Sequence, residues 1–288
     1  MISIERVQSF LAVVEAGGFR EATKRIGISQ SAITQHVKQL EEDLHAKLIE
    51  RSNAGCSLTP EGRIFFPVAE DLVRLANKAS TLFEREELGV GASSNTGIYL
   101  LQPYIKKYRE SCRFPLNISI ANNDAVARSL ESFDIDVAVV ETWDSRPGFT
   151  AKLWRTEELV LIVPNDHPWA SLDFVRPEQL EDQVLIGGEA GSGTGRTLRR
   201  YLGGTADRIG VSLQLGSTAA VKQAVQAGLG ISVVMKASVT NEAGLKLFSI
   251  VPFAGEPPRK ELYIVYREGT EQRAPLSSFL KTLETETF

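Results

Sequence analysis

Three short loops carry residue types able to hold a small anion. "GASSNTG" places Ser93, Ser94, Asn95 and Thr96 between an apolar run and a helical one; "ANNDA" sets Asn122 and Asn123 after a strand-like run; "EAGSGTGR" sets Ser192, Gly193, Thr194 and Gly195 ahead of another helix. Thr218, in "GSTAAVKQ", opens a further helix in the same way. Hydroxyls, amides and unpaired backbone N–H groups at a helix start offer donors and the positive end of the helix dipole, which together favour an anion. The same residue types begin most helices, so each loop taken singly reads equally well as an ordinary N-cap.

Other chemistry is poorly provided for. "GGEAGSGTG" follows an apolar run and precedes a helix, but it lacks the lysine of a phosphate-binding P-loop, and its glycine spacing falls one residue short of the dinucleotide fingerprint. No Ser-x-x-Lys, G-x-S-x-G or paired-carboxylate arrangement stands out, and His167 in "NDHPWA" reads as a surface-loop histidine. Cys56 and Cys112 sit in no ligand spacing and only three histidines are present, so neither a metal site nor a disulfide framework is expected. The expectation is a protein that binds and does not catalyse, with no cofactor.

A second set of candidate residues lies near the N-terminus. In "SQSAITQHVKQLEEDL", Ser29 is a plausible N-cap, and Ile33, Val37, Leu40 and Leu44 recur at helical steps to form a core stripe. The opposite face carries Gln30, Ser31, Thr34, Gln35 and Lys38, hydrogen-bonding side chains of the length that reaches base edges in a DNA major groove. A solvated outer face on a structural helix would look the same. The preceding segments, "IERVQSFLAVVEAG" with Ile4, Val7, Phe10, Leu11 and Val14 on one stripe and "FREATKRI" ending at Gly27, give two helices and a tight turn before it, the helix-turn-helix plan. "KLIERSNAGCSLT" then reads as two short strands around a turn, the place of a wing.

These elements must be carried by an ordinary soluble chain. Its 288 residues are 43% hydrophobic and 24% charged, enough for more than one core. No long apolar run is present, and Glu5 and Arg6 interrupt "MISIERVQSF", so neither a membrane span nor a signal peptide is expected and the location should be cytoplasmic. A net charge of −4 and a pI near 5.6 argue against a surface that coats nucleic acid non-specifically. Within the first 62 residues, Arg6, Arg20, Lys24, Arg25, Lys38, Lys47 and Arg51 are outnumbered by acids, so one copy alone should hold DNA weakly. Two linked copies would compensate.

The run from Phe10 to Gly62 resembles the N-terminal domain of LysR-type transcriptional regulators. "FLAVVE", "GGFREAT", "ISQSAIT", "VKQLEEDL", "LIER" and "LTPEG" stand where that family has F-L-A-V-A-E, G-S-F-T-x-A-A, V-S-Q-P-A-L-S, I-x-x-L-E-x-x-L-G, L-F-x-R and L-T-x-A-G. Gly18, Arg20, Thr23 and Ser31 depart from the usual residues, Gln35 and His36 stand where an arginine is frequent, and Asn53, Ala54 and Gly55 replace a basic wing. The resemblance implies that Arg20, Ser29, Gln30, Ser31, Thr34, Gln35, Lys38 and Arg51 face promoter DNA. Thr59 and Pro60 then start a long helix, and Phe65, Val68, Leu72, Leu75, Ala79 and Leu82 step along it by threes and fours. Such a seam fits a helix lying on its own body as well as one pairing with a partner. The resemblance implies the partner, a homodimer and by family habit a homotetramer, with Pro67 early in the helix where a bend is unsurprising.

From Leu88 onward strands and helices alternate. "ELGVGAS", "TGIYLLQPYIKKYRE", "LNISIAN", "DAVARSLES" and "IDVAVVE" read as βαβαβ with a mainly parallel sheet, and the strand "ELVLIVP" through the helix "PLSSFLKTLETE" completes a mixed α/β body. This pattern resembles the LysR effector domain, which is similar to two-lobed solute-binding proteins. The fold expected is therefore α/β with an α-rich N-terminal domain: winged helix-turn-helix at 1–58, linker helix at 59–87 and effector domain at 88–288. Crossing strands near Val163–Pro164 and Val265–Arg267 would divide the last into lobe one, 88–162 plus 267–288, and lobe two, 163–266. The resemblance places a cleft between the lobes and implies that Ser93, Ser94, Thr96, Asn122, Asn123, Ser192, Thr194 and Thr218 line it. The "GSGT" loop and "GSTAAVKQAVQAGLGISVV" look most like the branch regulating carbon fixation and sulfur or nitrogen assimilation, which implies a small anionic effector. A two-lobed solute-binding protein is the alternative from another class, disfavoured by the helical N-terminal unit.

Overall fold

The computed structural model describes residues 1–52, 55–81 and 86–284, with backbone alone for Arg51, Ser52 and Ala243. The chain forms two compact units, Met1–Arg85 and Glu86–Phe288. No described helix is long and apolar enough to cross a membrane.

The first unit packs α1 (Ile4–Ala16), α2 (Phe19–Ile26) and α3 (Gln30–Leu44) against a two-stranded antiparallel ribbon, β1 (Ile49–Ser52) and β2 (Gly55–Leu58), and the long α4 (Pro60–Thr81). Helix α1 ends where Gly17 turns left-handed (φ 72°) and α2 where Gly27 does the same (φ 71°), a conformation glycine adopts without a Cβ penalty. The core is Val7, Phe10, Val13, Ile33, Val37, Leu40 and Leu48, all fully or nearly fully buried. Thr59 caps α4: its hydroxyl donates to the Lys47 carbonyl and accepts from the Gly62 N–H at 2.8 Å. A Cβ on Gly62 would lie 2.1 Å from the Leu48 carbonyl oxygen, so only glycine lets α4 pass this close to the ribbon.

The seam expected along α4 needs correction at one position. The Phe65 ring lies 5.6 Å from that of Phe10, inside the core of its own unit, with Phe66 and buried Ala69 beside it. The exposed apolar row instead runs through Ile64, Val68 and Leu75, which are 75%, 50% and 45% exposed. Heptad spacing alone cannot distinguish these adjacent stripes, because the helix has apolar residues on both. Leu72 is half-buried and Ala79 exposed, whereas Leu82 lies outside the described residues.

The second unit is built on a seven-stranded sheet. Strands β3 (Leu88–Ser93), β4 (Leu116–Ala121) and β5 (Val137–Val140) are parallel, linked by a π-helical turn at Thr96–Leu100, α5 (Gln102–Ser111) and α6 (Asn123–Glu131), as the βαβαβ reading requires. The remaining pairings in this sheet are antiparallel, so "mainly parallel" holds only for that corner. The cause is β6 (Phe149–Val163), a fifteen-residue strand whose segment Phe149–Glu158 pairs with β11 (Arg259–Arg267) and whose last residues, Leu159–Val163, lie between β9 (Ser232–Met235) and β10 (Ser249–Val251). Across the sheet the order is β10, β6, β11, β5, β3, β4, with β9 also paired to β6. Beyond β6 come the parallel pair β7 (Leu185–Gly187) and β8 (Val211–Gln214), with α7 (Gly193–Leu202), α8 (Thr218–Gln226) and α9 (Thr240–Gly244); α10 (Ala274–Glu284) closes the chain.

The lobe crossings fall earlier in both strands than the sequence suggests. Leu159, Leu161 and Val163 pack with Trp169, Val175 and Leu185, and Val160 and Ile162 pack with Val221 and Val234, so the whole "LVLIV" run belongs to lobe two. Leu262 joins the same core, whereas Ile264 and Tyr266 pack with Leu88, Val137 and Phe279 of lobe one. The change of lobe therefore occurs before Leu159 in β6 and at the register shift between Leu262 and Tyr263 in β11. A continuous apolar strand looks like the last strand of one lobe and is the first of the next.

Candidate functional site

Two surfaces bring together the residues selected from the sequence. On α3 the Ser29 hydroxyl accepts from the Ala32 N–H at 3.2 Å, the expected N-cap, and also meets the Ser31 hydroxyl at 2.9 Å. Gln30, Ser31, Gln35 and Lys38 are exposed on one face. Thr34, beside them, is half-buried and its hydroxyl donates to the Gln30 carbonyl at 2.8 Å. His36 turns the other way, toward α1, where its Nδ1 lies 2.8 Å from the Ser9 hydroxyl.

Most cations of this unit are already engaged. Arg6 pairs with Asp43 at 2.9 Å, Arg25 with Glu15 at 2.7 Å, Lys47 with Glu41 at 2.7 Å and Lys38 loosely with Glu42 at 3.7 Å. Arg20 and Lys24 on α2 are exposed and have no side-chain ion pair among the described residues. The Arg51 side chain, like the wing residues Asn53 and Ala54, lies outside the described residues. The acidic end of α3 serves the fold. There buried Glu41 accepts from the N–H groups of Leu48 at 2.8 Å and Ile49 at 3.3 Å, tying the turn that leads into β1.

In the second unit a cavity of about 470 Å³ is lined by every effector residue expected from the sequence except Thr96. Thr96 is fully buried and accepts from the Ser93 hydroxyl at 2.9 Å, so it holds the end of β3 from behind. The N-termini of α6, α7 and α8 meet at this cavity, with Asn122, Ser192 and Ser217 accepting from the N–H groups of Ala125, Gly195 and Ala220. Asn123 is committed to structure: it donates to the Thr142 carbonyl and accepts from the N–H groups of Glu141 and Thr142, fixing the end of β5. Ser94 donates to the Ala121 carbonyl, and Thr218 donates to Asn95 at 2.7 Å, bridging the two lobes. Capping and binding are therefore compatible here, because the caps leave the first-turn N–H groups of three helices around one space.

Sequence reasoning missed the charged groups. Lys260, on β11 and 1% exposed, lies 3.0 Å from the buried Glu141 carboxylate and donates to the Thr194 hydroxyl at 3.1 Å. Thr194 is on α7, so this buried ion pair joins the crossing strand to both lobes. A Cβ on Gly193 would sit 2.8 Å from Glu141 and 3.2 Å from Lys260, which explains the glycine beside the pair. Arg196 and Arg199 on α7 also line the cavity, and Arg196 donates to the Thr142 hydroxyl. Their spacing after "GSGTG" could have disclosed them; Glu141 and Lys260, distant in sequence and in no motif, carry no such mark. Glu189, a further lining residue, has its carboxyl raised above the usual range by burial, then by the neighbouring charges of Glu141 and Asp124.

Comparison with known proteins accounts for both units. Residues 4–63 match the family model "Bacterial regulatory helix-turn-helix protein, lysR family", and residues 83–287 match "LysR substrate binding domain". The chain is 37% identical over 190 residues to the putative HTH-type transcriptional regulator protein PtxE of Stutzerimonas stutzeri, covering 65% of this chain and 97% of that protein. It is 25% identical to the RuBisCO operon transcriptional regulator of Allochromatium vinosum over 93% of this chain and 91% of that one. The fold is that of full-length CbnR solved in complex with its target DNA, with a TM-score of 0.69, 19% identity and 98% of each chain covered.

Proposed function

Since the chain belongs to the LysR family of transcriptional regulators, we propose that it reads promoter DNA with the exposed face of α3 and adjusts that binding when a small anion enters the cavity of its effector unit. The relatives are named as transcriptional regulators and not as enzymes. Gln30 and Gln35, with Ser31 and Thr34, would contact base edges, while Ser29, Lys38, Arg20 and Arg51 would sit against phosphates. Two subunits paired through the exposed row of α4 would present two copies of α3 to a partly palindromic site, and two such dimers would give a tetramer. The setting for this is the cytoplasm, where promoter DNA lies.

The observation that carries the effector reading is the meeting of three helix N-termini with Arg196 and Arg199 around one cavity. Positive helix ends and guanidinium groups attract the same ligand charge. Because the Lys260–Glu141–Thr194 cluster and the Thr218–Asn95 bond join the lobes at this cavity, an anion seated there would shift the lobes relative to each other. That shift would alter the spacing or bend the paired subunits impose on DNA. Selection of bound sequences from a randomised DNA pool tests the first half: enrichment of a partly palindromic site is expected, and enrichment of no sequence would overturn it. For the second half, a thermal-shift screen of small anions should raise Tm for the intact chain, with the gain abolished in Arg196→Ala and Arg199→Ala combined.

A further inference from the structure

The effector cavity contains carboxylates as well as cations, which a pocket built only for negative charge would avoid. Each carboxylate is situated differently. Glu141 is neutralised by Lys260 at 3.0 Å, and Asp124 is exposed in the first turn of α6, where the helix dipole favours it. Glu189 is half-buried on the cavity wall and has no hydrogen-bond or ion-pair partner for its carboxylate among the described residues. Its main-chain carbonyl accepts from the Ser192 N–H at 3.2 Å, so its backbone is fixed at the entrance to α7. Its carboxylate oxygens are not sealed from solvent, so on the cavity wall, beside three helix N-termini and two arginines, they are open to a donor carried by a ligand.

We propose that Glu189 is a specificity residue that restricts the effector to anions bearing a hydrogen-bond donor of their own, a hydroxyl or an acid proton, placed next to the anionic group. This rests on the reading of the cavity as an anion site. The helix N-termini and Arg196 and Arg199 would take the negative oxygens, while the donor points at Glu189. An anion with no proton, such as sulfate, would instead turn a lone pair toward the carboxylate and be repelled. The raised carboxyl of Glu189 agrees with a group lacking a stabilising cation or donor. The "GGEAGSGTG" motif thereby acquires a second role: its serine and glycines open α7, and its glutamate screens what may bind there.

The test is isothermal titration of the intact chain with two matched pairs, sodium phosphate against sodium sulfate and glycolate against acetate, near neutral pH and at constant ionic strength. Each pair differs by a donor. The wild type should bind the donor-bearing member at least about tenfold more tightly. Glu189→Gln, whose amide can donate, should bring sulfate to within about threefold of phosphate, and Glu189→Ala should lose the preference without gaining sulfate. Equal binding within both pairs by the wild type, or an unchanged preference in both variants, overturns the proposal and leaves the anion site standing. Absence of binding by all four probes, in wild type and variants alike, refutes the anion reading and this proposal with it.

Discussion

In the proposed function the face of α3 and the effector cavity would use opposite means to recognise their partners. On α3 the exposed side chains proposed to read DNA are uncharged or loosely paired, and Arg6, Arg25 and Lys47 are tied to Asp43, Glu15 and Glu41. At the cavity charge is concentrated: Glu141 on its wall is buried against Lys260, and Arg196, Arg199 and Glu189 line the same space. The contrast follows from exposure. An open face meets DNA through water and salt, where extra cations add affinity for any sequence, so discrimination has to come from directional amide and hydroxyl contacts. A concave, partly desolvated site weakens screening, so a few fixed charges decide which ligand enters.

The largest effect expected lies in the cavity. Lys260→Met strands the Glu141 carboxylate without its cation and should cost about 3–5 kcal/mol of unfolding free energy, measured by denaturant titration of the intact chain. Adding Glu141→Leu should recover most of that loss, because a buried pair exchanged for apolar groups is close to neutral. If the single variant is as stable as wild type, the pair does not organise the site.

In the N-terminal unit the buried charge is Glu41. Glu41→Ala removes the acceptor of the Leu48 and Ile49 N–H groups and should cost about 1–3 kcal/mol. The loss should be larger than for Glu42→Ala, whose carboxylate is exposed and only loosely paired with Lys38. Equal losses would mean that the turn into β1 does not depend on Glu41.

Next in size is a DNA effect that ignores sequence. Arg20→Ala should weaken binding to cognate and unrelated duplexes alike and lower the salt-dependence slope by about 1. A loss confined to the cognate site would move Arg20 from the phosphates to the bases.

The smallest effect concerns pH. Burial and the charges of Glu141 and Asp124 raise the carboxyl of Glu189, so the folded protein holds that proton to higher pH than the unfolded chain. Stability associated with this group is therefore present at low pH and is lost as pH rises from the unfolded value through the folded one. Glu189→Gln should raise Tm by roughly 1–2 °C at pH 8 and leave it unchanged at pH 4. A variant melting below wild type at pH 8 would show that the carboxylate is stabilised by a partner.

How far the sequence discloses these two regions differs for the same physical reason. In the first unit α1 to α3 are legible because they are short, amphipathic with one buried stripe and, for α1 and α2, ended by Gly17 and Gly27, and Thr59–Pro60 marks the start of the long α4. The parallel corner β3–β4–β5 is legible from its alternation with α5 and α6. The β11-paired part of β6 is not, since "FTAKLWRTEE" has its side chains largely on partly exposed surfaces and lacks an apolar pattern. Spacing puts Phe65 on the wrong side of α4 because its neighbour Ile64 is equally apolar, and only packing on Phe10 separates them. In the cavity, loop residues with helix-start chemistry are identifiable, and nearly all line it, but many spend their side chains on caps and lobe contacts. The buried ion pair joins the end of β5 to β11, far apart along the chain, and no local spacing marks Glu141 and Lys260 as a pair.

The central claim is that α3 discriminates sequence through uncharged side chains. Fluorescence-anisotropy titration of a selected palindromic duplex and an unrelated duplex, over a range of salt concentrations, tests it with Gln30→Ala and Gln35→Ala. Each variant should lose about 1–3 kcal/mol on the selected site while its affinity for unrelated DNA and its salt slope stay those of wild type. Full affinity for the selected site in both variants, or a loss that falls equally on both duplexes, would contradict the account.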